Sequence, residues 1–141
     1  RVYAVDNGRD QLHPLLRADP RVVALEGCDA RRLTRADIPD PIDALVADVS
    51  FISLPKALEA PLRLTRRGAW MVALIKPQFE AGRDAIGKGG IVSDPLEHER
   101  VCAEITAFLR SRGWRVLGVT ASPVEGGDGN REFLIGARKS A

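Results

Sequence analysis

Short, uninterrupted apolar runs that each stop at a charged or turn residue constrain this chain most. Val2 to Val5 stops at Asp6, Val22 to Leu25 at Glu26, Ala44 to Ala47 at Asp48, and Trp70 to Ile75 at Lys76-Pro77. Runs that are apolar at every position, not at alternate ones, read as strands covered on both faces, which is the pattern of a parallel sheet. The segments between them supply the covering helices. Ser53 stands where it caps a helix from Leu54 to about Arg66, with Leu54, Leu58 and Leu62 on one face, Pro61 as a kink and Gly68 as the stop. Asp94, Pro95 and Glu97 give the cap, first position and capping box of a helix from Pro95 to Arg112. Leu96, Cys102, Ile105 and Leu109 form its buried stripe, and Gly113 ends it. Trp114 to Val119 and Phe133 to Ala137 follow with only a Gly-rich segment between them, so an antiparallel pair closes an otherwise parallel α/β sheet.

At 141 residues the chain fits one domain, 1–141, and 45% hydrophobic with 28% charged residues excludes disordered and fibrous classes. The longest apolar run, Ala69 to Ile75, falls far short of the roughly 18 to 20 residues of a membrane span, and no signal peptide is visible. Cys28 and Cys102 have neither disulfide-framework nor zinc-ligand spacing, which points to a reducing, cytoplasmic setting and no metal. Of the 21 basic residues 17 are Arg, the better phosphate fork, although the net charge is only +2 and a GC-rich genome explains the same bias.

In doubly wound sheets ligands bind at the carboxyl ends of the strands, so the residues that stop the runs are the ones to weigh. Asp6 stands where an acid accepts ribose hydroxyls of a nucleotide-like cofactor, and Asp29, after the second run, where one meets an adenine amino group. Each has a solvated loop residue as its bland alternative, which weighs more at Asp29 than at Asp6. Asp48 and Lys76 end neighbouring strands, which brings carboxylate and ammonium into one crevice; the bland alternative is a structural ion pair. Pro77 biases Lys76 towards extended backbone and projects its amine from the strand end. Glu132, after the Gly126 to Asn130 turn, reaches the same crevice or stays on an exposed strand. Gly82 to Lys88 matches the GxxxxGK spacing of a phosphate loop, but Gly89 supplies no hydroxyl and no helix follows; Arg83 and Lys88 make it instead a flexible cationic loop for substrate. His13 and His98 read as ordinary surface or boundary residues.

Taken in order, Val5-Asp6 with Gly8 and Gln11-Leu12, Asp48-Val49-Ser50-Phe51-Ile52-Ser53-Leu54, Lys76-Pro77-Gln78-Phe79-Glu80, Gly87 to Pro95, and Ser122-Pro123 leading to Gly129-Asn130-Arg131-Glu132-Phe133 resemble the TlyA family. These are FtsJ-like ribosomal RNA 2′-O-methyltransferases, often labelled hemolysins. The resemblance implies a Rossmann-like class I S-adenosylmethionine methyltransferase fold and methyl transfer to a ribose 2′-hydroxyl of ribosomal RNA or a ribosomal subunit. Three members of the family's Lys-Asp-Lys-Glu tetrad map onto Asp48, Lys76 and Glu132; Asp6, Asp29 and Asp48 fall at cofactor positions, and Asn7 departs from an apolar position.

The chain enters its first strand within a residue of Arg1. It is therefore expected to lack an N-terminal piece carrying the S4-like domain, the first tetrad lysine, the Gly-rich cofactor loop and the first strand, which the family places between Val2–Val5 and Ala44–Ala47. Two open sheet edges follow, inviting homo-oligomers. Lys76 is expected to accept the hydroxyl proton or to orient the hydroxyl; a free lysine titrates near about 10.4, and Asp48 and Glu132 favour its charged form, so as a proton acceptor without the opposing cation it is expected to leave the chain inactive or slow. The competing class is a noncatalytic RNA- or partner-binding module that binds RNA in a salt-dependent way and ignores S-adenosylmethionine. A membrane-lytic reading of the hemolysin label finds no spanning or strongly amphipathic cationic segment to support it.

Overall fold

The computed structural model describes residues 1–141, and its elements follow the apolar runs. Strands β1 (Val2–Val5), β2 (Val22–Leu25), β3 (Ile42–Ala47), β4 (Thr65–Ile75), β5 (Trp114–Ala121) and β6 (Phe133–Lys139) alternate with helices α1 (Pro14–Arg17), α2 (Leu54–Leu64) and α3 (Pro95–Ser111). They form two sheets: β1 and β2 pair in parallel, and the larger sheet has the order β3-β4-β6-β5. β3 runs parallel to β4, and β6 lies between β4 and β5, antiparallel to both, as the two closing runs predict. β1 pairs only with β2 and β3 only with β4, so each leaves one edge unpaired.

Helices α2 and α3 cover a single face of the larger sheet. Leu54, Leu58 and Leu62 of α2 and Val101, Ile105 and Leu109 of α3 close over Ala69, Met71, Ala73 and Ile75 of β4 and Ile135 and Ala137 of β6, and Trp114 completes this core. On the opposite face Val46 is 74% exposed and Trp70 44%. The expectation of strands buried on both faces fails here for that reason: the alternate residues of β3 and β4 have no helix against them. A second, smaller cluster of Leu33, Ile38 and Leu64, backed by Tyr3, Val5, Leu25 and Ile42, is what joins the β1–β2 pair to the rest.

Several boundaries move. α2 stops at Leu64 and β4 begins at once, well before the expected Trp70. The Thr65 hydroxyl donates to the Leu62 carbonyl at 2.6 Å, and Lys139 Nζ, which only the fold brings there, donates to Thr65 O at 2.8 Å, so the helix end is satisfied. Burial pushes the Lys139 ammonium below its ordinary pKa, with Arg35 adding to the effect. Pro61 sits inside α2, which continues to Leu64. In α3 Asp94 accepts from Leu96 N at 2.9 Å as expected of a cap, but Glu97 pairs with Arg100 and builds no capping box, and Leu96 is 71% exposed. The buried stripe instead runs through His98, Val101, Ile105 and Leu109.

Candidate functional site

Strand geometry brings three of the singled-out residues together. β3 and β4 run in parallel with Ala47 opposite Ala73, so Asp48 and Lys76 leave the sheet on the same side. β6 runs the other way with Phe133 opposite Ile75, which delivers Glu132 to that same end. Asp48, Lys76 and Glu132 line one cleft of about 400 Å³. Lys76 Nζ lies 2.6 Å from Asp48 Oδ1 and donates to Ser50 Oγ at 3.0 Å. The lysine side chain is 13% exposed and the aspartate 67%, so the ammonium is held inside while the carboxylate stands at the mouth. An ammonium has three protons; two are engaged here.

Glu132 is buried, which settles the choice between crevice and exposed strand in favour of the crevice. Its Oε2 accepts from Gln78 Nε2 at 2.9 Å. A Cβ on Gly126 would fall 2.6 Å from the same oxygen, so the Gly-rich turn presses its backbone against the carboxylate. The other end of the Gln78 amide, Oε1, is buried and accepts nothing. A buried carbonyl without a donor costs on the order of 1–3 kcal/mol.

The segments that carry these groups are tied from behind. Glu80 accepts from Leu54 N at 2.5 Å through Oε1 and from Ser53 Oγ at 3.0 Å through Oε2. Ser53 occupies the cap position of α2, but the group that bonds the helix start is this carboxylate from the next loop. Burial pushes the Glu80 carboxyl above its ordinary range, against the lowering by its two hydrogen bonds. Phe51 packs against Phe79 with ring centroids 5.0 Å apart and planes tilted by 52°, is 90% exposed and holds a φ of 61°. A bulky residue seldom adopts that backbone, and such strain collects at functional sites. Asn130 Oδ1 accepts from Val92 N at 3.0 Å and its Nδ2 donates to Gly90 O at 3.0 Å, which fastens the cationic loop to the Gly-rich turn. His98 Nε2 meets Val92 O at 2.7 Å and so carries a proton. His98 is buried against Phe133, a correction to its reading as a surface or boundary residue.

The remaining residues stand apart from this cleft. Asp6 accepts from Gly8 N through Oδ1 at 2.8 Å, leaving Oδ2 free at the end of β1. Asp29 caps a 3-10 turn through Arg31 N, and the Arg31 guanidinium grips both its oxygens at 2.7 to 3.1 Å. Those bonds hold its carboxyl down at about 2. The Cys28 N–H donates to the Asp6 carbonyl, so the two acids share one end of the small sheet. Arg83 and Lys88 are exposed and form no ion pair. Gln78, Glu80, Asn130 and Phe51 carry roles that the sequence did not disclose. Gln78 and Glu80 lay inside the Lys76 to Glu80 block, where Pro77 starts a 3-10 turn that swings both side chains back towards the site. For Asn130 the only signal was an amide among glycines.

Residues 1–139 match the FtsJ-like methyltransferase family. The chain is 44% identical over 137 residues to a Mycobacterium tuberculosis protein named 16S/23S rRNA (cytidine-2′-O)-methyltransferase TlyA, a match covering 97% of this chain and 51% of that one. It is 37% identical over 135 residues to Hemolysin A of Brachyspira hyodysenteriae, covering 95% and 56%. A solved structure described as a hemolysin from Streptococcus thermophilus superposes with a TM-score of 0.92 at 43% identity, covering 98% of this chain and 50% of that one. The chain thus spans about half the length of the curated relatives it matches.

Proposed function

The chain belongs to the FtsJ-like methyltransferase family, and from that premise we propose that residues 1–141 form a methyltransferase domain that moves a methyl group from S-adenosylmethionine to a ribose 2′-hydroxyl of ribosomal RNA. The observation that carries this reading is the ammonium of Lys76, held by Asp48 and Ser50 in a cleft it shares with Glu132. Lys76 keeps one proton for the oxygen of an incoming hydroxyl and so fixes its direction of attack. The new O–CH₃ bond forms as the S–CH₃ bond breaks in line, and the hydroxyl proton leaves to a carboxylate of the cleft or to water. S-adenosylmethionine supplies the electrophilic methyl.

The cofactor end of the site fits in part. Asp6, at the end of β1 with Oδ2 unpartnered, suits ribose hydroxyls. Asp29 takes an adenine amino group only by loosening its grip on Arg31, whose side chain is 58% exposed and therefore movable. Arg83 and Lys88 are assigned to RNA phosphates. A cytoplasmic setting, ribosomal partners and association through the open strand edges belong to the same reading.

The test is transfer of labelled methyl groups from S-adenosylmethionine to ribosomal subunits by the full-length protein, with the product mapped to base or ribose. Label on a ribose 2′-oxygen that disappears with Lys76→Ala is the expected outcome. Salt-dependent RNA binding with no transfer, and no heat of binding for S-adenosylmethionine, would replace the enzyme by a noncatalytic RNA-binding module.

A further inference from the structure

We propose that Gln78 is the positioning residue of Glu132, clamping its carboxylate against the bare backbone of Gly126; this rests on the reading of the cleft given above. Three observations carry it. Gln78 Nε2 donates to Glu132 Oε2 at 2.9 Å, so the carboxylate is fixed on one side by a directed bond. An adjacent side is closed by Gly126, where a Cβ would stand 2.6 Å from that oxygen, 3.2 Å from Glu132 Cδ and 3.5 Å from Gln78 Nε2. The backbone of Gly126 is not in the left-handed region, so the space beside Glu132, and not the local conformation, is what demands glycine there. Gly127, the next residue, has nothing within 4 Å of the same construction.

The third observation concerns what Gln78 does not do. Its Oε1 is buried with no donor, so the amide is a liability for folding. Turning it over would set a carbonyl against a carboxylate. An amide kept at that cost beside a buried carboxylate in the cleft is held there for the site. The negative charge of Glu132 stays in one place because the clamp supplies a hydrogen bond and a wall without supplying a counter-charge.

The experiment uses the full-length protein with ribosomal subunits and S-adenosylmethionine, and four variants. Gln78→Leu removes the bond and the unpaired carbonyl together: kcat is expected to fall by up to about 10²-fold, the effect of a small misplacement of a reacting group, with KM for S-adenosylmethionine unchanged and Tm equal or higher. Gln78→Glu sets two carboxylates face to face and should lower kcat further. Gly126→Ala should reproduce the kcat loss, and Gly127→Ala should not. A lower Tm with kcat intact in Gln78→Leu, or equal effects of the two alanines, overturns the clamp. Crystal structures of Gln78→Leu and Gly126→Ala give an independent reading: the Glu132 carboxylate leaves its wild-type position if the clamp is real and stays if it is not. That result holds even where the wild-type protein transfers no methyl group, an outcome that removes the proposed reaction but not the clamp.

Discussion

The two sheets end in acids of the same kind but hold them with very different firmness. β4 and β6 lie inside a four-stranded sheet over a core of 13 buried residues, and Asp48, Lys76 and Glu132 stand on its end. β1 and β2 are four residues each, pair only with one another, and rest on a cluster of three buried residues, with Asp6 and Asp29 at their end. Two short strands are at best marginal alone. The chemistry of the cleft is therefore built on the rigid part of the molecule, and the acids assigned to the cofactor on the part that opens most easily. Hydrogen exchange measures the gap directly. Amides of β4 and β6 should open only with global unfolding, and those of β1 and β2 at far lower free energy, while S-adenosylmethionine should slow the second set selectively. Equal protection of both sets would mean that the small sheet is stabilised by something beyond its visible contacts.

The larger sheet contains a comparison of its own, because only one of its faces is covered. Met71 is 1% exposed beneath the helices, and Val46, on the neighbouring strand, is 74% exposed on the bare face. Met71→Ala should cost about 2–5 kcal/mol in chemical denaturation. Val46→Ala should cost about 0.5 kcal/mol or less, as for a surface position. A cost for Val46→Ala approaching that of Met71→Ala would show that this face is covered in solution, by a second copy or by further polypeptide. The same contrast marks what the sequence disclosed. Apolar runs and their stop residues located five of the six strands to within a residue or two and gave the antiparallel closure, because those features depend on local pattern. The sequence was silent on which face α2 and α3 would choose, and so predicted two covered faces where one is found. It brought Asp48, Lys76 and Glu132 to one strand end, but missed Gln78, Glu80 and Asn130, whose partners lie 26 to 54 residues away and are not encoded in any local spacing.

Between the rigid and the open parts lie the two Gly-rich loops, and Asn130 joins them. Asn130→Ala leaves the buried Val92 N–H without its acceptor and frees Gly90 O. The expected loss is on the order of 1–3 kcal/mol, together with new proteolytic cleavage within Gly82 to Gly90. His98 still holds Val92 O in that variant, so His98→Ala combined with Asn130→Ala should release the loop more than either alone. Cleavage unchanged in the double variant would place the source of the loop's order elsewhere.

The smallest effect is one of sign. Asp29, on the small sheet, has its carboxyl held down at about 2 by the hydrogen bonds from Arg31, against an ordinary value of 3.8. Its contribution to stability is present above pH 3.8 and is lost as pH falls towards 2. Glu80, on the large sheet, has its carboxyl raised above its ordinary 4.5, chiefly by burial. Its contribution runs the other way: it is fully present below 4.5 and is lost as pH rises through the raised value. Acid titration should therefore weaken the β1–β2 region while it relieves the burial of the Glu80 charge beside α2. Denaturation midpoints recorded from pH 2 to 7 for wild type, Asp29→Asn and Glu80→Gln separate the two. Asp29→Asn should flatten the loss below pH 4, and salt should shrink it further because the Arg31 pair is exposed. Glu80→Gln can still accept from Leu54 N and bond Ser53, so it should remove the decline above pH 4.5 and keep the helix start. A Glu80→Gln protein whose stability still declines over that range would assign the raised carboxyl to another residue. It would also leave the Ser53–Glu80 bond as geometry without a titration to report it.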